Sequence, residues 1–211
     1  MVITIDGPSG VGKGEVGRRI ASKFGYDFID SGIYYRILTY EVIKRKLNFS
    51  DDNQIILFAK FLDFSSYSDD DYLHSNAIDN KVEVIADKPE IRNLINKYIV
   101  SIIKGDTVIS GRDAGSLIVP NADYKFFLEG SYQERVNRRY KQSIEENSMM
   151  DYNTICRNIK ERDNYDYNRE YGRLMVPYQG IVINTNNLSI DETVKRIFNV
   201  VKVNDDGELK R

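Results

Sequence analysis

Short continuous apolar runs alternate along this chain with stretches whose apolar residues recur every three or four positions. The runs Val2 to Ile5, Tyr26 to Ile29, Thr107 to Ser110, Tyr124 to Leu128 and Ile181 to Ile183 predict short buried strands. Val16, Ile20 and Phe24 predict a helix after the first run, and Ile37, Leu38 and Val42 predict another over 32–46. Ser50, before Asp51, Asp52 and Asn53, reads as the cap of a helix ending near Leu62. Pro89 opens a helix with the stripe Ile91, Leu94, Ile95, Tyr98, Ile99 and Ile102. Further helices are expected over 131–146, over 151–163 and after Ser189, the last with Val194, Ile197 and Val200 inward. Strands alternating with helices imply an α/β fold, a mostly parallel sheet covered on both faces. The polar stretch 63–82, with Tyr72-Leu73 as a possible strand, reads as an excursion, and 204–211 as a flexible tail.

Composition narrows the picture only moderately. A chain of 211 residues with 41% hydrophobic and 29% charged positions suits a single globular domain. The net charge of −2 offers no general field for nucleic acid, so a bound polyanion must be held by local arginines. The single cysteine, Cys156, excludes an internal disulfide, and no group including His74 has zinc-site spacing. The first apolar run is too short for a signal peptide, and nothing approaches a membrane span. The expectation is a cytoplasmic monomer with no nucleic-acid or membrane partner, acting on small molecules.

Gly7-Pro8-Ser9-Gly10-Val11-Gly12-Lys13 fits the phosphate-binding pattern G-x-x-x-x-G-K, placed between a predicted strand and a predicted helix. Glycines let successive backbone N–H groups curl around phosphate oxygens, and the helix N-terminus adds partial positive charge. Lys13 then supplies a point charge to the β and γ phosphates of ATP. Gly14 and Glu15 follow where a hydroxyl normally stands to bind Mg²⁺.

Beyond the loop, six ordered segments carry a family likeness. They are 3–10, Asp30-Ser31-Gly32 with Tyr35-Arg36, Pro89-Glu90-Ile91-Arg92, Gly111-Arg112-Asp113-Ala114-Gly115-Ser116, Glu161-Arg162-Asp163 with Asp166 and Arg169, and 188–192. In these the chain resembles bacterial-type cytidylate kinases. The resemblance implies a P-loop three-layer αβα fold with a central parallel sheet, a small nucleotide-binding insert at 63–88 and a helical lid at about 147–173. It implies transfer of the γ-phosphoryl group of ATP, with Mg²⁺, to CMP or dCMP. It places Ser31, Arg36, Arg92, Arg112, Asp113, Asp166 and Arg169 at the acceptor, Asp166 on the ribose hydroxyls and Arg162 over the moving phosphate. Lys13, Arg112, Asp113 and Arg162 would form the catalytic set, and 7–15 the ATP-binding loop. Arginine suits this work because its planar, permanently charged fork grips phosphate bidentately. Arg162, Asp166 and Arg169 have the spacing of one helical face. Arg135, Arg138 and Arg139 read mainly as solvated helix charges, the alternative being that one of them contacts ATP.

The likeness departs at Glu15, where the family has Thr, and at Ser110, where it has a carboxylate. Glu83 stands where the family has a Ser that helps read the cytosine, and the insert is shorter than usual. One expectation is that Glu15 and Ser110 exchange roles and hold Mg²⁺ together, which keeps one carboxylate and one hydroxyl at the metal. The alternatives are a P-loop kinase of another acceptor (UMP, AMP or a small metabolite) and a non-catalytic nucleotide-binding homologue.

Overall fold

The computed structural model describes residues 1–69, 71–145 and 150–208. Five strands form one sheet: β1 (Val2–Asp6), β2 (Asp27–Asp30), β3 (Thr107–Gly111), β4 (Tyr124–Glu129) and β5 (Ile181–Asn184). Their order is β2-β3-β1-β4-β5 and every pairing is parallel. The helices are α1 (Lys13–Phe24), α2 (Ser31–Lys44), α3 (Asp52–Lys60), α4 (Asn76–Asp79), α5 (Val82–Ala86), α6 (Pro89–Ile102), α7 (Tyr132–Glu145), α8 (Tyr152–Asn168) and α9 (Ile190–Glu208). Side chains along the central strands alternate between two cores, as the pleat requires. Val108 packs with the α1 and α9 residues Val16, Ile20, Val194 and Ile197, while Ile109 packs with the α2 and α6 residues Leu38, Ile91 and Ile95. These are the three layers expected from the alternating pattern. A separate small core, Val136, Ile155 and Ile159, joins α7 to α8.

Register sets the carboxyl ends of three strands side by side. Asp6 lies opposite Gly111, and Asp30 opposite Ser110. The chain leaves β1 toward β2 on one side, and returns from β3 across β1 to β4 on the other. Ligands of open parallel sheets bind at such a reversal.

Several local expectations need correction. Asp51, not Ser50, caps α3, its carboxylate accepting from Gln54 N at 3.0 Å. Tyr72-Leu73 is not a strand: it lies in the 3₁₀ turn Asp71–His74, which buries Leu73 completely in the α2 core. The second arginine-bearing helix continues to Asn168, so Arg162 and Asp166 share α8 while Arg169 is its extended C-cap. The last helix continues to Glu208, and the remainder of the expected tail, 209–211, lies outside the described residues.

Candidate functional site

The glycine loop follows β1 directly and ends on α1. Gly12, the residue before the helix, has φ of 91°, a left-handed conformation that disfavours a side chain. A cleft of about 520 Å³ opens above it, lined from the loop by Ser9, Gly10, Gly12, Lys13, Gly14 and Glu15. Pro8 is not at that wall, but its carbonyl accepts from Lys13 Nζ at 3.2 Å. Val11 is buried in the α1 core, and a Cβ at Gly7 would meet the Leu128 carbonyl at 2.4 Å. Those two therefore shape the loop from beneath.

A smaller inner cavity of about 50 Å³ adjoins the cleft, with Ser31, Tyr35, Arg92, Asp113, Asp166 and Arg169 in its wall. Asp30, Gly32, Glu83, Arg112 and Arg162 line both spaces and so mark the passage between them. Arg36 lines the larger cleft only; it donates to Asp79 at 2.7 Å and to the Leu73 carbonyl at 2.9 Å, anchoring the insert to α2.

The inner cavity is built from matched charges. Arg92 donates to Asp113 at 2.6 Å, with both side chains only 3% exposed. Arg112 Nε donates to Asp166 at 2.6 Å, and Arg169 holds the other Asp166 oxygen. Burial opposes ionisation of Asp166, but Arg112, Arg169 and Arg162 outweigh it and hold the carboxyl below its usual range. At the cleft floor the balance is opposite. Desolvation, then Arg112 and Arg162, push the Lys13 ammonium well below the ordinary lysine range. Three cations crowd there, and a polyphosphate is the kind of anion that would relieve them.

Sequence reasoning missed several residues of this arrangement. Asp30 caps α2 through Gly32 N at 2.9 Å and belongs to both cavities; its place at a strand's carboxyl end was the available signal. Asp6 is fully buried and accepts from Ala114 N at 2.8 Å and Gly115 N at 2.7 Å, fixing the turn that carries Arg112 and Asp113. Burial pushes its carboxyl up to about 7, although those two N–H bonds lower it. Gly172, at φ of 67°, lies against the Arg92–Asp113 pair, where a Cβ would meet Asp113 at 2.5 Å. Nothing local in the sequence signals either long-range contact.

One expectation fails on geometry and another gains no support from it. Arg135 is not solvated: it is 5% exposed and donates to the Ser9 carbonyl at 2.9 Å and to Asp163 through both terminal nitrogens. It ties the glycine loop to α8, and Arg138 likewise donates to Thr185 Oγ1 at 3.0 Å, leaving Arg139 at the cleft. The Glu15–Ser110 exchange gains no support. Arg19 takes the Glu15 carboxylate at 2.6 Å and Arg18 approaches it at 3.4 Å, although Glu15 still lines the cleft, while the Ser110 hydroxyl is buried with no hydrogen-bond partner among the described residues and lines neither cavity. Opposite charges one helical turn apart on α1 are sufficient reason for Glu15 to turn that way.

A family profile described as cytidylate kinase matches residues 3–203. The chain belongs to the cytidylate kinase family. The cytidylate kinase of Caldanaerobacter subterraneus is 32% identical over 219 residues, covering 98% of this chain and 97% of that protein. The cytidylate kinase of Mycoplasmopsis synoviae is 35% identical over 212 residues, covering 95% of this chain and 97% of its own. A shikimate kinase from Bacteroides thetaiotaomicron superposes with a TM-score of 0.50 at 15% identity, covering 96% of this chain and 98% of its own, a likeness of fold alone. Family membership over nearly the whole length accounts for the ordered segments as one inheritance.

Proposed function

We propose that this chain transfers the γ-phosphoryl group of ATP to CMP, or to dCMP, releasing ADP and the nucleoside diphosphate. Membership of the cytidylate kinase family supports the reaction. The observation that carries the site assignment is the passage itself: Arg112 and Arg162 line both the Lys13 cleft and the inner cavity. ATP occupies the cleft in this reading, with its phosphates on the loop amides and Lys13. The acceptor lies across the passage with its phosphate toward Arg112 and Arg162, and only part of it reaches into the inner cavity, which at about 50 Å³ is smaller than a nucleotide. An acceptor phosphate oxygen attacks the γ phosphorus in line as the bond to the β–γ bridging oxygen breaks. That oxygen is already ionised near neutral pH, so no protein base is required. Catalysis then rests on position and on positive charge around the equatorial oxygens.

Arg92–Asp113 and Arg112–Asp166–Arg169 act as a pre-organised wall, since each guanidinium is held by a buried carboxylate before substrate arrives. Asp166 retains unused lone pairs on its carboxylate and is the candidate for the ribose hydroxyls. The residues present also suit Mg²⁺, which needs only one or two carboxylates beside phosphates and water. Asp30 would be that carboxylate, since it faces the passage and its Oδ2 lies 3.6 Å from a Cβ built on Gly14. Bound there with ATP, the ion would offset charge on the β and γ oxygens. ADP release measured with CMP, dCMP, UMP, AMP and GMP tests the function. Preference for CMP is expected, and equal or greater turnover with UMP or AMP refutes the acceptor.

A further inference from the structure

Of the four arginines in the inner cavity, Arg162 is held differently. Arg92 and Arg112 each meet a carboxylate that is no more than 3% exposed, and Arg169 meets Asp166 one turn away on its own segment. Among the described residues, the carboxylate that pairs with Arg162 is Glu83, on α5 of the insert across the cavity. Arg162 Nε lies 2.9 Å from Glu83 Oε1, yet its buried N–H is not directed into a hydrogen bond. The second Glu83 oxygen lies 3.6 Å from Arg169. Glu83 is 18% exposed and Arg162 29%, so this pair is the most accessible of the cavity's ion pairs. It is a charge contact without a committed hydrogen bond, bridging insert and lid over the passage.

Resting on the kinase reading, we propose that Glu83 is a positioning residue that keeps the Arg162 guanidinium paired, and so not free to engage the donor phosphates, until an acceptor phosphate displaces it. A carboxylate carries one negative charge, and a nucleoside monophosphate carries nearly two at neutral pH with more acceptor oxygens. The entering acceptor therefore outcompetes Glu83 for the guanidinium, and Arg162 swings onto the phosphates at the moment transfer becomes possible. Without acceptor, the competing reaction is hydrolysis. A water oxygen bonds to the γ phosphorus as the β–γ bridging bond breaks, giving ADP, inorganic phosphate and a proton. Glu83 suppresses that loss by withholding an arginine that transfer needs, a task separate from closing the lid against water.

The test compares wild type, Glu83→Gln, Glu83→Ser, Arg162→Ala and the Glu83→Gln/Arg162→Ala double variant. ADP release from Mg²⁺–ATP is measured with no acceptor and with saturating CMP, and folding is checked by thermal melting. Acceptor-free hydrolysis itself is expected to rise at least about tenfold in both Glu83 variants, a fraction of what a freed arginine can supply at a transferring phosphate. That rise should vanish in the double variant compared with Arg162→Ala alone, because Glu83 acts through Arg162. Either Glu83 variant, folded, suffices, and the serine provides a second geometry if the amide perturbs the cavity. An unchanged hydrolysis rate overturns the proposal, as does a rise that survives loss of Arg162. Loss of transfer with hydrolysis unchanged also overturns it, since Glu83 would then simply build the acceptor site. If wild type fails to use CMP, the kinase reading itself falls; if wild type is active and the hydrolysis rate does not move, only this inference falls.

Discussion

Replacing Lys13 with Met should separate activity from stability in opposite directions. The side chain donates one hydrogen bond, to the Pro8 carbonyl at 3.2 Å. Losing it costs about 1.5–3 kcal/mol for a charged donor, less where water takes its place. Against that stands the crowding of Lys13 by burial, Arg112 and Arg162, which disfavours its charged form in the folded protein. A folded-state lysine value below the unfolded one means the unfolded chain holds the extra proton. Native stability therefore rises with pH between the depressed value and 10.5. The methionine variant escapes this penalty, so its relative advantage is largest at lower pH and fades toward 10.5. The two effects offset, and at neutral pH the melting temperature without nucleotide should fall by no more than about 4 °C or rise. Catalysis has no such compensation. Removing a charge aimed at the transferring phosphoryl group should reduce kcat by about 10²–10³-fold. Scanning fluorimetry across pH and a coupled ADP assay read the two effects. A drop beyond about 10 °C, with activity lost in step, would make Lys13 a brace of the loop and not its phosphate clamp.

Three further outcomes are expected. Asp166→Asn leaves Arg112 and Arg169 without their shared charge; breaking such a buried pair costs about 3–5 kcal/mol, so melting should fall by roughly 10 °C. Acceptor KM should rise at least about tenfold while the donor Kd, measured by calorimetry, stays within about threefold. Asp6, raised to about 7 by burial, favours the folded state fully only below the ordinary value of 3.8, and that contribution is lost as pH rises through about 7. Relative to Asp6→Asn, wild type should therefore lose on the order of 4 kcal/mol of urea-measured stability across that window, and a flat difference would contradict it. Asp30→Asn should raise the Mg²⁺ concentration for half-maximal turnover at least about fivefold while Glu15→Gln leaves it unchanged; the reverse pattern would return the metal to Glu15.

The fold was legible in the sequence because its information is local. Each strand is a short apolar run and each long helix a three-or-four-residue stripe, and short strands interspersed with helices leave few topologies. The glycine loop was legible for the same reason, with Gly7 through Lys13 contiguous. Legibility ended where a neighbour in space decided the matter. Leu73 has the look of a strand residue but serves as a plug, turned into the α2 core by a 3₁₀ turn. Arg135 resembles any charged helix residue until the Ser9 carbonyl and Asp163 surround it. Glu15 has the chemistry of a metal ligand, but Arg18 and Arg19 one turn along its own helix claim it first.

The same distinction explains why the arginines could be named from sequence while their pairings could not. Each arginine sits in a contiguous segment such as Gly111-Arg112-Asp113, which a linear reading can find. What makes each useful is a carboxylate from elsewhere: Asp113 for Arg92, Asp166 for Arg112, Glu83 for Arg162. A guanidinium without a buried counter-charge would fold away toward solvent, and one fully matched by protein would have no need of substrate. The first two pairs are deeply buried and fixed, so they define where an acceptor lies. The third is looser, more exposed and shared between insert and lid, so it is the one an incoming phosphate can rearrange. Placement of the counter-charges, more than the arginines themselves, thus separates the parts of the site that wait from the part that responds.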